Sequence, residues 1–340
     1  MQRVLVVLPN WFGETLFATP FLRALRTQQP AAFIAALGRP ACRQILSHSP
    51  LINELIEWDE LGAQRGPVGA WRLSRALASS RFDTAFILRR SLTRSLIARF
   101  AGIRRLVGWS GKGGWLLTDR VPPASAPRHK AVSYLPLLEA AGLAAESRRY
   151  EYTVTDAERQ AARAWLRQQG LGDGRALVIL HPGANWPHKR WAPERFAQLG
   201  DRLAESRSAQ IAVTGGPEDT ELAHAVRSRM RRPALIFAGQ TTLRQLAACL
   251  EQARLVVSND TGVLHLAAAM DRPLVALYGP TSPALTGPLG MPDRTVILHH
   301  PEGCPRVPCL RPDRPPHPGM DAISVEEACE AAVGLLERAG

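Results

Sequence analysis

Short apolar runs rich in Val, Ile and Leu alternate along the chain with longer segments in which apolar residues recur at helical spacing. This alternation is typical of a parallel sheet covered by helices. In the first half it predicts strands at Val4–Leu8, Ala32–Leu37, Leu55–Trp58, Thr84–Leu88 and Arg105–Gly108. In the second half it predicts strands at Leu177–Leu180, Gln210–Thr214, Leu235–Phe237, Leu255–Ser258 and Leu274–Leu277.

Segments of helical period separate these strands. They are predicted at Phe21–Gln28, Trp71–Ser79, Ser91–Ala101, Asp156–Gln169, Pro193–Ser206, Thr220–Arg229, Leu243–Gln252, Gly262–Ala269 and Val325–Arg338. The proline-containing stretch 121–127 interrupts the pattern between the halves. We therefore expect an α/β protein with two domains, 1–155 and 156–322, and a terminal helix in 323–340 that packs back on the first domain. Residues 279–320 are dense in Pro and Gly, which predicts irregular backbone there.

The composition is that of a folded globular protein, since 46% of the 340 residues are hydrophobic and 21% are charged. It excludes a disordered chain and a disulfide-stapled miniprotein. No apolar run approaches the roughly 18 residues that a membrane-spanning helix needs, and the apolar stretch at the start is too short for a secretory signal. The five scattered cysteines fit a reducing compartment. We therefore expect a cytoplasmic protein.

The charge balance narrows the choice of partner. The 42 Lys and Arg residues against 30 Asp and Glu give a net charge of +12 with His neutral, which favours an anionic partner. Nucleic acid is disfavoured, because no recognised binding module and no interleaving of aromatic and basic residues accompany the charge. An anionic substrate and the anionic surface of a membrane both remain compatible with it.

The loop after the first predicted strand carries a single carboxylate. In open parallel sheets, ligands bind where such loops leave the carboxyl ends of the strands. Glu14 follows Gly13 at the predicted start of a helix, where it could act as a general base on a hydroxyl group. An acidic residue in a first helical turn also interacts favourably with the helix dipole. The loop alone leaves both interpretations open.

The loop after the first strand of the second half carries Lys189 beside Arg190. Only three of the 42 basic residues are lysines, so a lysine at this position is unusual for this chain. An ammonium group at the end of a strand suits a phosphate group. A solvated surface pair is the alternative for two adjacent basic residues.

Two further strand-end loops in the second half carry candidate ligand contacts. Thr214, Gly215, Gly216 and Glu218 follow one strand, where glycines let a ligand approach the backbone and an acidic residue can accept hydrogen bonds from a ribose. The same residues also form an ordinary turn and helix cap.

Asp260, Thr261 and Gly262 end a later strand, and His265 lies one helical turn after Thr261. The free N–H groups of that helix start form an anion site for a pyrophosphate. A plain N-cap and a core histidine are the alternative. Four such loops together favour a ligand site over these structural explanations.

Basic residues also follow a strand of the first half, at Arg90 and Arg94, and suit an acceptor that carries carboxylates or phosphates. The neighbouring Arg99, Arg104 and Arg105 fit a solvated helix face better.

Metal and cofactor chemistry are disfavoured. Cys304 and Cys309 have no second matching pair, and His299 and His300 have no obvious set of carboxylates. The first loop lacks the Gly-x-Gly-x-x-Gly pattern of dinucleotide oxidoreductases, and neither a P-loop nor a Gly-x-Ser-x-Gly motif is present. We expect no metal and no cofactor.

In combination and order, these motifs resemble those of the lipopolysaccharide heptosyltransferases, glycosyltransferase family nine, over nearly the full chain. The matching segments are 10–14 with 18–20, 181–184 with 189–191, 215–217, and 259–262 with His265. The resemblance implies the GT-B fold, an α/β fold in which two Rossmann-like domains face a central cleft. It also implies inverting, metal-independent transfer of heptose from ADP-heptose to the inner core of lipopolysaccharide.

We expect each domain to bind one substrate. The resemblance implies the base at position 14 and the nucleotide-diphosphate contacts of Lys189, Asp260, Thr261, Gly262 and His265, and the other contacts follow from the strand-end loops. The first would bind the acceptor through Asn10, Gly13, Arg90 and Arg94, with Glu14 as the catalytic base. The second would bind ADP-heptose or another nucleotide sugar through Lys189, Thr214, Gly215, Gly216, Glu218, Asp260, Thr261, Gly262 and His265. The expected partners are that donor, the lipopolysaccharide inner core and the anionic inner face of the inner membrane, but no nucleic acid.

Two positions depart from the family pattern. Family members usually carry Asp where this chain has Glu14, and the extra methylene moves the carboxylate by about 1.5 Å, enough to affect a rate. The cysteine-rich C-terminal pattern of many relatives is reduced to Cys304 and Cys309. A nucleotide-sugar epimerase of the same fold and a catalytically weak nucleotide-sugar-binding homologue remain as alternatives.

Overall fold

The computed structural model describes residues 1–10, 12–146, 149–172, 174–301, 307, 309 and 317–338. The chain divides into two compact units, Met1–Thr153 and Val154–Gly340. Each unit contains one six-stranded sheet with helices packed on it. In the described part of the chain, no helix is both long enough and apolar enough to cross a membrane.

The sheet of the first unit is entirely parallel. Its strands are β1 Arg3–Val7, β2 Phe33–Gly38, β3 Glu54–Glu57, β4 Thr84–Ile87, β5 Arg105–Trp109 and β6 Asp119–Val121. They lie in the order β3-β2-β1-β4-β5-β6, with Val4 of β1 opposite Ile34 on one side and Thr84 on the other. All residues of β1 after Arg3 are buried, as expected for a parallel strand covered on both faces.

The second unit repeats this arrangement. Its strands are β7 Leu177–His181, β8 Gln210–Val213, β9 Ala234–Ile236, β10 Leu255–Asn259, β11 Leu274–Tyr278 and β12 Thr295–His299. They are parallel and lie in the order β12-β11-β10-β7-β8-β9. Ser258 of β10 lies opposite His181 of β7, so these two central strands end side by side.

Helices connect the strands throughout both units. In the first unit they are α1 Phe12–Phe17, α2 Thr19–Gln28, α3 Arg43–Leu46, α4 Gly66–Ser79, α5 Leu92–Phe100 and α6 Pro136–Ala140. In the second they are α7 Asp156–Gln168, α8 Pro193–Arg207, α9 Thr220–Arg229, α10 Leu243–Gln252, α11 Gly262–Ala269, α12 Pro283–Thr286, α13 Pro318–Ala322 and α14 Val325–Arg338. Their apolar faces complete a core around each sheet.

Both sheets have a topological switch point. In the first unit the chain adds strands outward from β1, then returns to add β4 on its other side; in the second it does the same with β7 and β10. Loops that leave two such neighbouring strands diverge and open a crevice at the carboxyl edge, which is where open α/β sheets bind ligands. The fold thus marks the ends of β1 and β4, and of β7 and β10, as candidate sites.

The apolar pattern predicts most of this architecture correctly. All ten predicted strands and nine predicted helices are present within a few residues of their expected bounds. The expectation of irregular backbone over 279–320 is wrong in part, because β12 pairs with β11 there and short helices flank it. The pattern also missed β6, a three-residue strand whose first two residues are charged.

The terminal helix α14 belongs to the second unit. It packs on α8 and on strands of the second sheet, and Val325, Ala328, Ala332 and Leu335 are buried in the core of that unit. The apolar stripe of the helix is therefore used within the second unit, and packing on the first domain stays a prediction.

Candidate functional site

An ion pair joins the two central loops of the second unit at the switch point. Lys189 lies in a short 3₁₀ turn, Pro187–Lys189, after β7, and Asp260 follows β10. The Lys189 Nζ donates to Asp260 Oδ2 at 2.7 Å, and the Thr281 hydroxyl donates to the same oxygen at 2.7 Å. The other carboxylate oxygen lies 3.8 Å from the His265 Nε2. Lys189, Asp260 and His265 are thus brought together as the motifs predict.

The electrostatics of Asp260 keep this pair charged. The Asp260 side chain is only 6% exposed and that of Lys189 is 18% exposed. Burial alone raises the pKa of Asp260, but the charges of Lys189 and His265 and the hydrogen bonds from Lys189 and Thr281 outweigh it, so the pKa lies below its usual value. The carboxylate therefore stays ionised and holds the ammonium group in place.

Asn259 fastens the loop after β10 to the loop after β7. Its amide nitrogen donates to the Pro182 carbonyl oxygen at 2.8 Å, and its amide oxygen accepts from the Trp191 backbone N–H at 3.2 Å. Asn259 is fully buried. Because both ends of the amide are used, the loop that carries Lys189 has a fixed position beside Asp260.

Two aromatic residues beside Lys189 were missed by the sequence analysis. The Lys189 Nζ lies 5.2 Å from the centre of the Trp186 ring, within the range of a cation–π contact. The Trp186 ring stacks on His188 at 5.3 Å. The buried His188 Nε2 has no hydrogen-bond partner among the described residues. The sequence could have indicated both residues, because they lie within three positions of Lys189 in the same strand-end loop.

α11 begins where the sequence predicts an anion site. Thr261 is in extended conformation at the N-cap of Gly262–Ala269, yet its side chain accepts no N–H of the helix in the structure as described. Its hydroxyl instead lies 3.5 Å from that of Ser258. First-turn N–H groups without a side-chain cap are suited to bind an anion, and the helix dipole favours negative charge there.

The loop after β8 contributes a small, tightly packed surface. Thr214 is fully buried, and its hydroxyl has no partner in the described part of the chain. Gly215 has no room for a side chain, since a Cβ there would lie 2.5 Å from the Asp219 Cβ. Gly216 is partly exposed and Glu218 is exposed.

Structural roles account for two further polar side chains near this loop, Arg190 and His181. The Arg190 Nε donates to the Ala184 carbonyl oxygen at 3.0 Å, and its guanidinium lies 3.5 Å from Asp219. Arg190 therefore braces its own loop against the loop after β8. His181, at the end of β7, contacts the Thr214 carbonyl oxygen at 3.2 Å, and burial lowers the pKa of His181 to about 4.

Glu14 lies in the first turn of α1, at the carboxyl end of the first sheet. Its Oε2 is buried and has no hydrogen-bond partner among the residues described. Burial, followed by the Glu14 charge, raises the pKa of Tyr134 above its usual range, so the phenol and the carboxylate are electrostatic neighbours. No Cβ contact within 4 Å would arise at Gly13, so the space beside it is open.

Arg94 is buried in the first unit, where it joins Asn10 to Glu60. Its side chain is 5% exposed, and the guanidinium donates to the Asn10 side-chain oxygen at 2.5 Å and to Glu60 at 3.3 Å. Glu60 also pairs with Arg39 at 2.7 Å. Because Asn10 precedes α1, this network fixes the backbone that leads to Glu14.

A cavity of about 980 Å³ lies at the ends of β4 and β5 in the first unit. Arg89, Arg90, Arg128 and Tyr134 line it, together with the proline-rich segment 121–127. Arg90 is one of the predicted acceptor contacts, whereas 121–127 was expected only to interrupt the periodic pattern between the halves. The cavity wall has three arginines and one acid, Glu139, so it suits an anionic molecule.

No group of three or more potential metal-ligating side chains occurs in the part of the chain that the structure describes. Cys304 and Trp11, which belong to sequence motifs, lie outside the described residues.

The sequence is similar to a known protein family and to several of its characterised members. The family model described as "Glycosyltransferase family 9 (heptosyltransferase)" matches residues 70–310. Lipopolysaccharide heptosyltransferase 2 of Salmonella typhimurium is 31% identical over 87% of this chain and 88% of its own. The corresponding Escherichia coli protein is 30% identical over the same shares.

Solved structures agree with these relatives. E. coli ADP-heptose lipopolysaccharide heptosyltransferase II superposes with a TM-score of 0.82 at 28% identity, covering 99% of both chains. A glycosyltransferase family 9 structure from Veillonella parvula gives 0.88 at 24% identity, over 99% of this chain and 97% of that one, which supports the fold. The predicted α/β class with two Rossmann-like domains of the GT-B type is confirmed.

The family model covers more than two thirds of the chain, and its match agrees with the sequence relatives and the fold. The same findings do not favour the epimerase alternative. The chain therefore belongs to glycosyltransferase family 9, the heptosyltransferases, and is a glycosyltransferase.

Proposed function

We propose that the protein transfers heptose from ADP-heptose to an inner-core sugar of lipopolysaccharide, with inversion at the anomeric carbon. The observation that carries the proposal is the Lys189–Asp260 pair at the switch point of the second sheet, beside the N-terminus of α11. Relatives whose names give this activity support the choice of donor and acceptor.

The second unit would bind the donor diphosphate. Lys189 donates to the Asp260 carboxylate at 2.7 Å and to the Asp260 carbonyl oxygen at 3.5 Å, and its third N–H donor would bind a phosphate oxygen. The first-turn N–H groups of α11, which begins at Gly262, and the Thr261 hydroxyl would complete the anion site. His265 would act through Asp260, 3.8 Å away. Thr214, Gly215, Gly216 and Glu218 would line the nucleoside part of the donor site.

Glu14 would act as the general base. It would remove the proton from an acceptor hydroxyl while that oxygen forms a bond to the anomeric carbon of heptose. The bond from the anomeric carbon to the diphosphate oxygen breaks, and ADP leaves with the electron pair. Positive charge from Lys189 and the helix N-terminus would stabilise the negative charge that develops on ADP. No metal ion takes part in this proposed step.

The first unit would hold the acceptor. The arginine-lined cavity suits a saccharide that carries carboxylates or phosphates, with Arg90 as a direct contact. Asn10 and Arg94 would keep the Gly13–Glu14 backbone in place from below. A role of the protein at the anionic inner face of the inner membrane belongs to the same proposal, since the acceptor is a lipid-linked saccharide.

The test is a matrix of donors and acceptors. The purified protein is incubated with ADP- and UDP-sugars, each with and without heptose-free lipopolysaccharide, and ADP or UDP release is measured. We expect release from ADP-heptose only when the acceptor is present. Conversion of the nucleotide sugar without an acceptor would instead support an epimerase, and binding without turnover would support a catalytically silent homologue.

A further inference from the structure

We propose that the paired helices α4 and α5 of the first unit dock onto an anionic lipid bilayer. It rests on the membrane role within the proposed function and names the surface that would carry that role. The supporting observation is a set of exposed apolar side chains that lie outside the proposed substrate sites. A single exposed apolar residue needs no explanation, but exposed apolar residues that lie together in one patch are typical of an interaction site.

The outer face of α4 is amphipathic. Val68 is 60% exposed and Trp71 is 57% exposed. Arg72 and Arg75 follow at one-turn spacing and are also exposed. The Arg75 guanidinium carbon lies 5.2 Å from the centre of the Trp71 ring. Residues spaced by three and four share one face of a helix, so the apolar and basic groups lie together.

α5 extends this surface. It packs against α4, and Phe100 at its end is 73% exposed. Trp71 and Phe100 line a groove of about 580 Å³ together with Pro67, Leu96 and Ile97. Two exposed aromatic rings therefore lie beside other apolar side chains in the same groove.

The charge around the groove selects an anionic partner. Segments 61–82 and 84–118 contain eleven basic residues and no acidic residue. Glu60 also lines the groove, but its carboxylate is paired with Arg39 and Arg94. Of these, Arg65, Arg72, Arg75 and Arg99 lie on or next to α4 and α5 and are exposed. Aromatic rings flanked by arginines are typical of interfacial helices, because the rings enter the headgroup region while the guanidinium groups pair with anionic lipids.

The test is co-sedimentation of the whole protein with vesicles of phosphatidylcholine alone or mixed equally with phosphatidylglycerol. We expect binding to the mixed vesicles that weakens with salt. The double variant Trp71→Ser/Phe100→Ser should weaken that binding by about tenfold. Arg72→Gln/Arg75→Gln should weaken it by about 25-fold, since each arginine near an anionic surface contributes about fivefold.

Matched variants in the second unit provide the controls. Arg163→Gln/Arg167→Gln removes the same charge from exposed positions of α7, and Met291→Ser/Ile297→Ser removes exposed apolar side chains. Both should bind vesicles like the native protein. Equal losses in both sets would overturn the assignment to α4 and α5, as would an unchanged vesicle affinity of the Trp71/Phe100 variant. Self-association of the native protein that the Trp71/Phe100 variant abolishes would also overturn it, because the groove would then bind a second copy of the chain.

An activity assay separates this inference from the proposed function. With a delipidated, water-soluble acceptor saccharide, the groove variants should keep native transfer rates, because none of these residues belongs to the proposed substrate sites. Loss of vesicle binding with unchanged soluble transfer supports the surface. Absence of transfer by the native protein, with vesicle binding that only the groove variants lose, would contradict the proposed function and leave the docking surface intact.

Discussion

The carboxyl edges of the two sheets share a topology but are prepared for chemistry in different ways. In the second unit, Lys189, Asp260 and Thr281 are already joined by short hydrogen bonds, and Asn259 fastens their loops together. In the first unit, the Glu14 Oε2 has no partner in the described chain, and an open arginine-lined cavity lies at the neighbouring strand ends. The edge of the second sheet holds the Lys189 ammonium group in a fixed position. The edge of the first sheet leaves one oxygen of the Glu14 carboxylate without a hydrogen bond among the described residues, as the proposed base requires.

Replacing the Glu14 carboxylate should have the largest effect. Glu14→Gln removes the proposed base and is expected to reduce kcat by about 10²–10⁴-fold. Since Glu14 belongs to the first edge, the Kd for ADP should stay unchanged by calorimetry.

Glu14→Asp is the matched control, because it restores the carboxylate while shortening the side chain by one methylene. We expect it to recover part of the lost rate. Native turnover by Glu14→Gln would show that the base is another group.

Breaking the buried ion pair should affect both stability and donor binding. Lys189→Met leaves Asp260 buried without its cation, which should lower the free energy of unfolding by about 3 kcal/mol and weaken ADP binding. Urea denaturation and ADP calorimetry measure the two effects.

The double variant Lys189→Met/Asp260→Asn is the control for stability. It removes both charges, so it should regain much of the lost free energy of unfolding but not the ADP affinity. If Lys189→Met bound ADP as the native protein does, the lysine would not belong to the diphosphate site.

Acid should weaken the second unit through His181. The pKa of this buried imidazole is lowered to about 4 in the folded protein, against about 6.5 when unfolded. The unfolded chain therefore binds more protons between these values, so the free energy of unfolding falls as pH drops from about 6.5 to 4, by about 3 kcal/mol in total.

His181→Gln should remove that part of the pH dependence, which urea melts at several pH values would reveal. Asp260 affects stability at lower pH than His181 does. The pKa of Asp260 is lower in the folded protein than in the unfolded chain, so its contribution to stability is complete above the unfolded pKa and is lost as pH falls through the folded pKa. An identical slope between pH 6.5 and 4 in the variant would contradict the assignment to His181.

The smallest predicted change concerns the acceptor cavity. Arg90→Gln removes one exposed contact to an anionic saccharide and should raise the KM for the acceptor by roughly tenfold, as one charge-assisted hydrogen bond is lost. Steady-state kinetics with fixed ADP-heptose measure it. Arg99→Gln, an exposed change on the same unit, serves as the control and should leave this KM unaltered.

The sequence predicts the second edge better than the first. Lys189, Asp260 and His265 lie in loops that directly follow apolar strands, so strand prediction alone places them at one edge. Tyr134 and Arg128 come from the irregular region after β6, where no periodic pattern indicates their path back to the sheet. Thr281, which donates to Asp260, was missed for a similar reason. It lies in the loop after β11, where the Pro- and Gly-rich sequence has no periodic pattern that would mark a strand-end loop.

Arg94 shows a different limit of sequence reasoning. Its position after a strand suggests an exposed ligand contact, but the structure buries it between Asn10 and Glu60. Glu60 lies 34 residues away along the chain, and only the pairing of strands around β1 brings the two together. Tertiary contacts of this kind carry no local signal.

The most direct test of the central claim is the mass of the acceptor after incubation of heptose-free lipopolysaccharide with ADP-heptose and the native protein. We expect a gain of one heptose residue for each ADP released, at a rate about 10²–10⁴-fold lower with Glu14→Gln. Release of ADP or isomerisation of ADP-heptose without any gain in acceptor mass would contradict it.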